Sequence, residues 1–181
     1  MNGDAEQIEP DTKDWTWVLE RPCPECGFDA SIVELADLPR RLQANSVGWT
    51  ARLAESDADR RPAADVWSPL EYACHVRDVH RTFATRVGLM LEQDDPQFPN
   101  WDQDATAIED DYASQDPETV AAELADAADA AGQRYTDLAE DQWSRPGRRS
   151  DGSVFTVDTI ARYHLHDVVH HAYDVGLQDP A

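Results

Sequence analysis

Six histidines stand in this 181-residue sequence, and four of them fall within eight residues: His164, His166, His170 and His171. A neutral imidazole nitrogen is a good ligand for a divalent ion. On a helix, residues four apart share a face with about 6 Å of rise between them, so His166 and His170 can close on one ion at roughly 2.0 to 2.1 Å each. His164 and His171 also share a face, but about 10.5 Å of rise separates them, too far for easy joint ligation. Tyr163, His166, His170 and Tyr173 follow at steps of three, four and three, an aromatic and polar stripe suited to lining a pocket. The aliphatic residues of the same segment, Leu165, Val168, Val169, Ala172 and Val175, centre on a face that His166 and His170 only border. An isolated pair of this kind is more often a surface or core-edge feature than a metal site. A third donor has to come from another segment, and His75 is the natural candidate; His80, five residues on, points well around its helix.

The second group is Cys23-Pro24-Glu25-Cys26-Gly27, which resembles one half of a rubredoxin or zinc-ribbon knuckle. A complete site needs two more ligands. Cys74, the remaining cysteine, sits beside His75, where burial as a small hydrophobe is the ordinary expectation. The open alternatives are a site completed by Asp, Glu or His, a metal shared across a dimer, a redox pair, or a structural turn packed on Trp15 or Trp17. The structural turn is the favoured reading.

Helices must position these residues. Leu38, Leu42, Trp49 and Leu53 recur at helical spacing, and Asp37 with Pro39 suits a helix start. Ser68, Pro69 and Glu71 make a capping box that opens a second helix, whose apolar stripe runs Tyr72, Val76, Val79, Phe83, Val87 and Met90, with His75 on its margin. Residues 94–116 read as a long crossover with a short helix around Ile108. Asp116-Pro117-Glu118 opens an alanine-rich third helix to about Ala139, packing through Val120, Leu124, Ala128, Ala131, Tyr135 and Leu138. Turn formers from Trp143 to Gly152 precede a short strand or hairpin at Val154 and Phe155, and Thr156 or Asp158 begins a fourth helix running to Gly176. The pattern predicts an all-α, antiparallel four-helix bundle over 31–181, preceded by an N-terminal extension over 1–30 that carries the cysteine turn.

Composition narrows the partners. The formal net charge is −22, from 37 acidic and 15 basic residues, with Lys13 the single lysine. Such an acidic protein repels phosphate backbones and anionic lipid, so neither nucleic acid nor membrane is expected as a partner. No apolar run is long enough to span a bilayer, and the acidic start is unlike a signal peptide. With three cysteines and no export signal, a cytoplasmic setting is the simpler expectation. A small-molecule substrate is expected, and a homodimer is left open.

The segments Trp67-Ser-Pro-Leu-Glu-Tyr-Ala-Cys-His75 and Tyr163-His-Leu-His166-Asp-Val-Val-His170-His-Ala-Tyr-Asp174 resemble the two metal-ligand motifs of the DinB-like superfamily. That superfamily includes mycothiol- and bacillithiol-dependent transferases and the mycothiol-dependent maleylpyruvate isomerase, and the resemblance covers roughly residues 31 to 177. It implies a DinB-like bundle with a histidine triad, His75, His166 and His170, holding one divalent metal such as zinc or nickel. It also implies an ion that binds a low-molecular-weight thiol, lowers its pKa and presents it to an electrophile. The alternatives are a hydrolase in which the metal activates water, and a non-enzymatic metal- or ligand-binding module. Asp78 and Asp167 are candidates to orient the imidazoles, and Glu71 is the nearest candidate base, although its capping role already explains it.

Overall fold

The computed structural model describes residue 8 and residues 13–178. The expected extension therefore falls partly outside the described residues, as does the end of the expected bundle at 179–181. Four long helices carry the fold: α1 (Leu38–Leu53), α2 (Pro69–Glu92), α4 (Pro117–Arg134) and α5 (Val157–Asp174), with a short α3 (Gln103–Glu109) in the crossover. α1 and α2 both pack mainly on α4 and α5, so they stand on a diagonal of the bundle. The all-α, four-helix expectation holds.

The local signals explain where these helices begin. Ser68 Oγ accepts from the Glu71 amide at 3.2 Å while the Glu71 carboxylate accepts from the Ser68 amide at 2.8 Å, the reciprocal capping box anticipated for α2. Glu71 also receives Arg61 at 2.5 Å, so its carboxylate is committed to structure and is not a candidate base. Asp116 caps α4 through the Thr119 amide, and Thr156 caps α5 through the Thr159 amide. α4 ends at Arg134, earlier than the alanine pattern suggests. Tyr135 becomes the C-cap, and Asp137 turns the chain with φ +56, a left-handed conformation that no helix continues.

The expected short strand is part of a three-stranded sheet, ordered β1 (Gln97–Phe98), β2 (Pro146–Arg149), β3 (Val154–Thr156). β1 runs parallel to β2, and β2 runs antiparallel to β3 with Gly147 opposite Phe155. Gly147 packs against α2: a Cβ there would lie 2.6 Å from Met90 Cγ and 3.0 Å from Phe98 Cε1.

Val76, Val79, Phe83, Val87 and Met90 of α2 meet Val120, Leu124, Ala128 and Ala131 of α4 and Ile160, Leu165 and Val168 of α5 in one core. The N-terminal segment joins it through Cys23, Phe28, Ala30 and Val33. Arg162 of α5 donates to the carbonyl oxygens of Ala30 and Val33, fastening that segment to the bundle.

Two of the six histidines are structural. His164 Nε2 lies 3.0 Å from His80 Nδ1, and the Tyr135 hydroxyl lies 3.0 Å from His164 Nδ1. All three side chains are buried, and burial pushes His80 down to about 4 and His164 below its ordinary value. Both rings are neutral core groups.

Two predictions follow from this packing. Gly147→Ala drives a methyl into the fully buried Met90 and should destabilise the fold by about 1 to 3 kcal/mol, read as a lowered Tm. The second concerns pH. His80 binds its proton less readily folded than unfolded, so its contribution is complete above about pH 6.5 and is lost as pH falls toward 4. Urea unfolding of metal-free protein should show on the order of 3 kcal/mol lost through His80 across that window. His80→Gln should flatten the pH slope, and a slope unchanged by that substitution would count against the assignment.

Candidate metal centre

α5 presents two pairs of donors at i,i+4 spacing on adjacent lines of its surface: His166 with His170, and Asp167 with His171. Each pair meets a different partner. His75, on α2, joins Asp167 and His171, with one ligand atom from each lying within 4.8 Å of the others. Cys23 and Cys26, from the N-terminal segment, join His166 and His170 under the same criterion. The structure thus brings His166 and His170 together, as their spacing predicts, and sets His75 in the neighbouring group. The expected grouping of His75 with His166 and His170 is not among the donor sets of the described residues. The physical reason is rotational: one residue turns the helix by about 100°, and α2 faces the Asp167–His171 line.

His75 is fully buried, yet neither Nδ1 nor Nε2 has a hydrogen-bond partner. Leaving two such atoms unsatisfied in a core is costly unless a ligand completes them. Its Nε2 stands 3.6 Å from Asp167 Oδ1, and His171 Nε2 stands 3.5 Å from the same oxygen. Nitrogen and oxygen donors on a tetrahedral zinc ion are spaced by about 3.4 Å, so these donors fit such an ion. Asp174 Oδ2 lies 2.9 Å from His171 Nδ1, which fixes the ring and leaves Nε2 toward the group. Trp101 stacks on His75 at 5.3 Å with a 6° interplanar angle, and Trp67 leans on the ring at 5.5 Å.

The electrostatics suit a cation. Burial pushes His75 below its ordinary pKa and keeps the imidazole neutral, the form that ligates. Burial alone would raise Asp167, but the neighbouring His75 and His171 imidazoles more than reverse that and hold it as an anion. Asp78, the other acid considered for orienting an imidazole, instead binds Arg77 and accepts from the Tyr112 hydroxyl at 2.6 Å.

The second set is closed by a tight turn. The Cys23 amide donates to Phe28 O at 2.8 Å, the Gly27 amide donates to Cys23 O at 2.9 Å, and Gly27 has φ +76, where glycine carries no steric penalty. Cys23 Sγ lies 3.6 Å from His170 Nδ1. Burial pushes the Cys26 thiol up to about 12, and Cys74, buried beside Tyr112 O, likewise to about 12, so neither is a reactive thiolate without a positive partner.

A cavity of about 310 Å³ opens beside both groups. Asp167, His171, His166 and His170 reach its wall, together with Trp15, Trp67, Tyr72 and Tyr163 and the acids Glu25, Asp65, Asp104 and Asp174. Burial, aided by nearby acids, pushes the Tyr72 and Tyr163 phenols up to about 12, so both remain hydrogen-bond donors. No helix among the described residues is long and apolar enough to cross a membrane.

Sequence reasoning names His75 as a candidate donor and Asp78 or Asp167 as candidates to orient an imidazole, and it considers His171 only with His164. The signal available was the i,i+4 spacing of Asp167 and His171, identical to that of the pair preferred. For the cysteines, completion by Asp, Glu or His is one of the open alternatives, and His166 and His170 are the histidines that the fold brings beside them.

Comparison with known proteins agrees with this architecture. No curated protein matches the chain. Among solved structures, YfiT from Bacillus subtilis, described as a probable metal-dependent hydrolase with an unusual four-helix bundle topology, superposes with a TM-score of 0.62 at 20% identity, over 77% of this chain and 78% of that one. At that identity the likeness establishes the fold. The family model described as the DinB superfamily matches residues 40–174, which span α1 to α5, and the chain belongs to that superfamily.

Proposed function

We propose that this protein is a metal-dependent enzyme whose catalytic ion is held by His75, Asp167 and His171 and whose substrate is a small molecule bound in the adjoining cavity. The observation that carries this reading is His75: a fully buried imidazole with both nitrogens unpartnered, aimed beside a carboxylate and a second imidazole at donor spacing. Three protein ligands leave a coordination position open, the arrangement of catalytic rather than structural sites. When bound, a divalent ion there supplies Lewis acidity that lowers the pKa of a thiol or of water and so provides a nucleophile at neutral pH.

The chain's own residues do the rest. Asp174 holds the His171 tautomer, and Trp101 with Trp67 fixes the His75 ring plane. Tyr72 and Tyr163, both protonated, offer donors to a substrate oxygen on the cavity wall. Trp15 and Trp67 supply apolar walls that exclude water from the reacting atoms. The acids of the rim favour neutral or cationic substrates over anions.

The preferred nucleophile is a low-molecular-weight thiol of the mycothiol class, which makes the enzyme a thiol S-transferase or a thiol-dependent isomerase. This choice follows the resemblance of the two motifs. A metal-dependent hydrolase is the second reading, favoured by the fold shared with YfiT and by carboxylates in the cavity wall, such as Asp65 and Asp104, that can serve as a general base for water.

Metal-loaded protein incubated with a small thiol and monochlorobimane, beside thiol-free ester controls, separates the two. Thiol-dependent adduct formation is the expected result; ester cleavage without thiol would establish the hydrolase, and silence in both arms would overturn the enzymatic reading. His171→Ala should abolish turnover and the associated metal binding. Asp174→Asn should weaken metal affinity by about 10- to 100-fold, measured by competition with a chromogenic chelator.

A further inference from the structure

The cysteine turn and the helix pair it faces are not used by the reaction proposed above, and their geometry has its own logic. Cys23 and Cys26 converge because the Cys-Pro-Glu-Cys-Gly turn is drawn tight by the Cys23 and Gly27 amides. They converge on His166 and His170, neighbours on α5 whose rings stand 5.2 Å apart. His166 Nε2 is buried without a hydrogen-bond partner. The 3.6 Å between Cys23 Sγ and His170 Nδ1 is a thiol–imidazole hydrogen-bond distance in the metal-free chain, and it also equals the edge, about 3.6 Å, of a tetrahedron with metal–sulfur bonds near 2.3 Å and metal–nitrogen bonds near 2.05 Å.

We propose that Cys23, Cys26, His166 and His170 form a closed, structural zinc site, distinct from the His75–Asp167–His171 centre, that fastens the N-terminal segment to α5. Four protein donors fill a tetrahedral ion and leave no position for substrate. Two thiols and two imidazoles are a donor set that favours zinc over magnesium or calcium. On binding, the two thiols each release a proton to solvent, so the dication is balanced by two thiolates and the assembled site is neutral. A neutral group is tolerable in the buried position that Cys23, His166 and His170 occupy.

The site has a mechanical consequence for the cavity. Trp15 lies against both His166, at 5.7 Å, and His170, at 5.0 Å, and Phe28 meets His166 edge-on at 5.4 Å. Lys13, Trp15 and Glu25 belong to the segment that the knuckle anchors, and all three line the cavity. The ion therefore holds one wall of the substrate pocket while the neighbouring centre faces its interior. Two adjacent i,i+4 pairs on one helix let α5 serve both.

Cobalt substitution of the full-length protein tests this, because a cobalt–thiolate bond gives a charge-transfer band in the near ultraviolet that imidazole and carboxylate ligands do not. The expected result is that band in the wild type, two equivalents of metal per chain, and loss of one equivalent together with the band in Cys26→Ser, whose side chain is only half-buried and whose loss the fold should bear. His171→Ala, in contrast, should lose the other equivalent and keep the band, which separates failure of this proposal from failure of the catalytic assignment. In zinc-loaded wild type, Cys23 and Cys26 should resist a thiol reagent until a strong chelator is added, and chelation should expose the N-terminal segment to limited proteolysis. A cobalt complex without the thiolate band, thiols that react freely in the metal-loaded chain, or a Cys23–Cys26 disulfide in protein purified with its metal would each overturn the proposal.

Discussion

A helix advances by about 100° per residue, so two donor pairs at i,i+4 spacing, offset by a single position, point in different directions. α5 carries such an arrangement in His166–Asp167 and His170–His171, and the two candidate donor groups depend on it. One line meets α2 and His75; the other meets the cysteine turn. Neither line could change partners without rotating the helix and withdrawing Leu165, Val168 and Ala172 from the core. The core residues of α5 therefore set the direction of its polar ones, and apolar packing becomes a constraint on which donors face one another.

The surrounding bundle keeps that rotation in place. α5 packs between α1 and α2 and is capped by Thr156 at the end where the sheet delivers the chain. The His80–His164–Tyr135 chain adds a directional contact deeper in the bundle, where hydrogen bonds fix the angular position of α2 against α5 more sharply than aliphatic contacts can. Burial keeps these rings neutral, and the same low-polarity interior is hostile to uncompensated charge. Asp167 stays anionic there because imidazoles surround it, and a cation would complete the balance.

The N-terminal segment joins the bundle as a structural participant. Its carbonyl groups at Ala30 and Val33 are taken up by Arg162, its apolar residues enter the common core, and Trp15 forms part of the cavity wall. An acidic, proline-containing sequence with few aliphatic residues has little hydrophobic drive to fold alone. Arg162, the tight turn and the few side chains that reach the core hold it against the bundle. The cavity beside α5 is thus bounded by the bundle on one side and by the segment on the other.

Much of this architecture was legible in the residues themselves. Capping boxes and prolines mark helix starts through local backbone chemistry, so the beginnings of α2, α4 and α5 are written in three or four consecutive residues. The apolar stripes of α2 and α4 follow from helical period alone, and the choice of His75 and of the histidine-rich α5 as candidates follows from residue type and from resemblance to a family. The end of α4 was less legible, because alanine favours helix on either side of the turn at Asp137. What the sequence could not decide is which of two equally spaced donor pairs faces which neighbour. Spacing is a local property that both pairs share, whereas the angle of α5 about its axis is set by contacts with α1, α2 and the N-terminal segment, all distant along the chain. Only the folded molecule separates Asp167 and His171 from His166 and His170, and only it delivers Cys23 to within 3.6 Å of His170 across 147 residues of sequence.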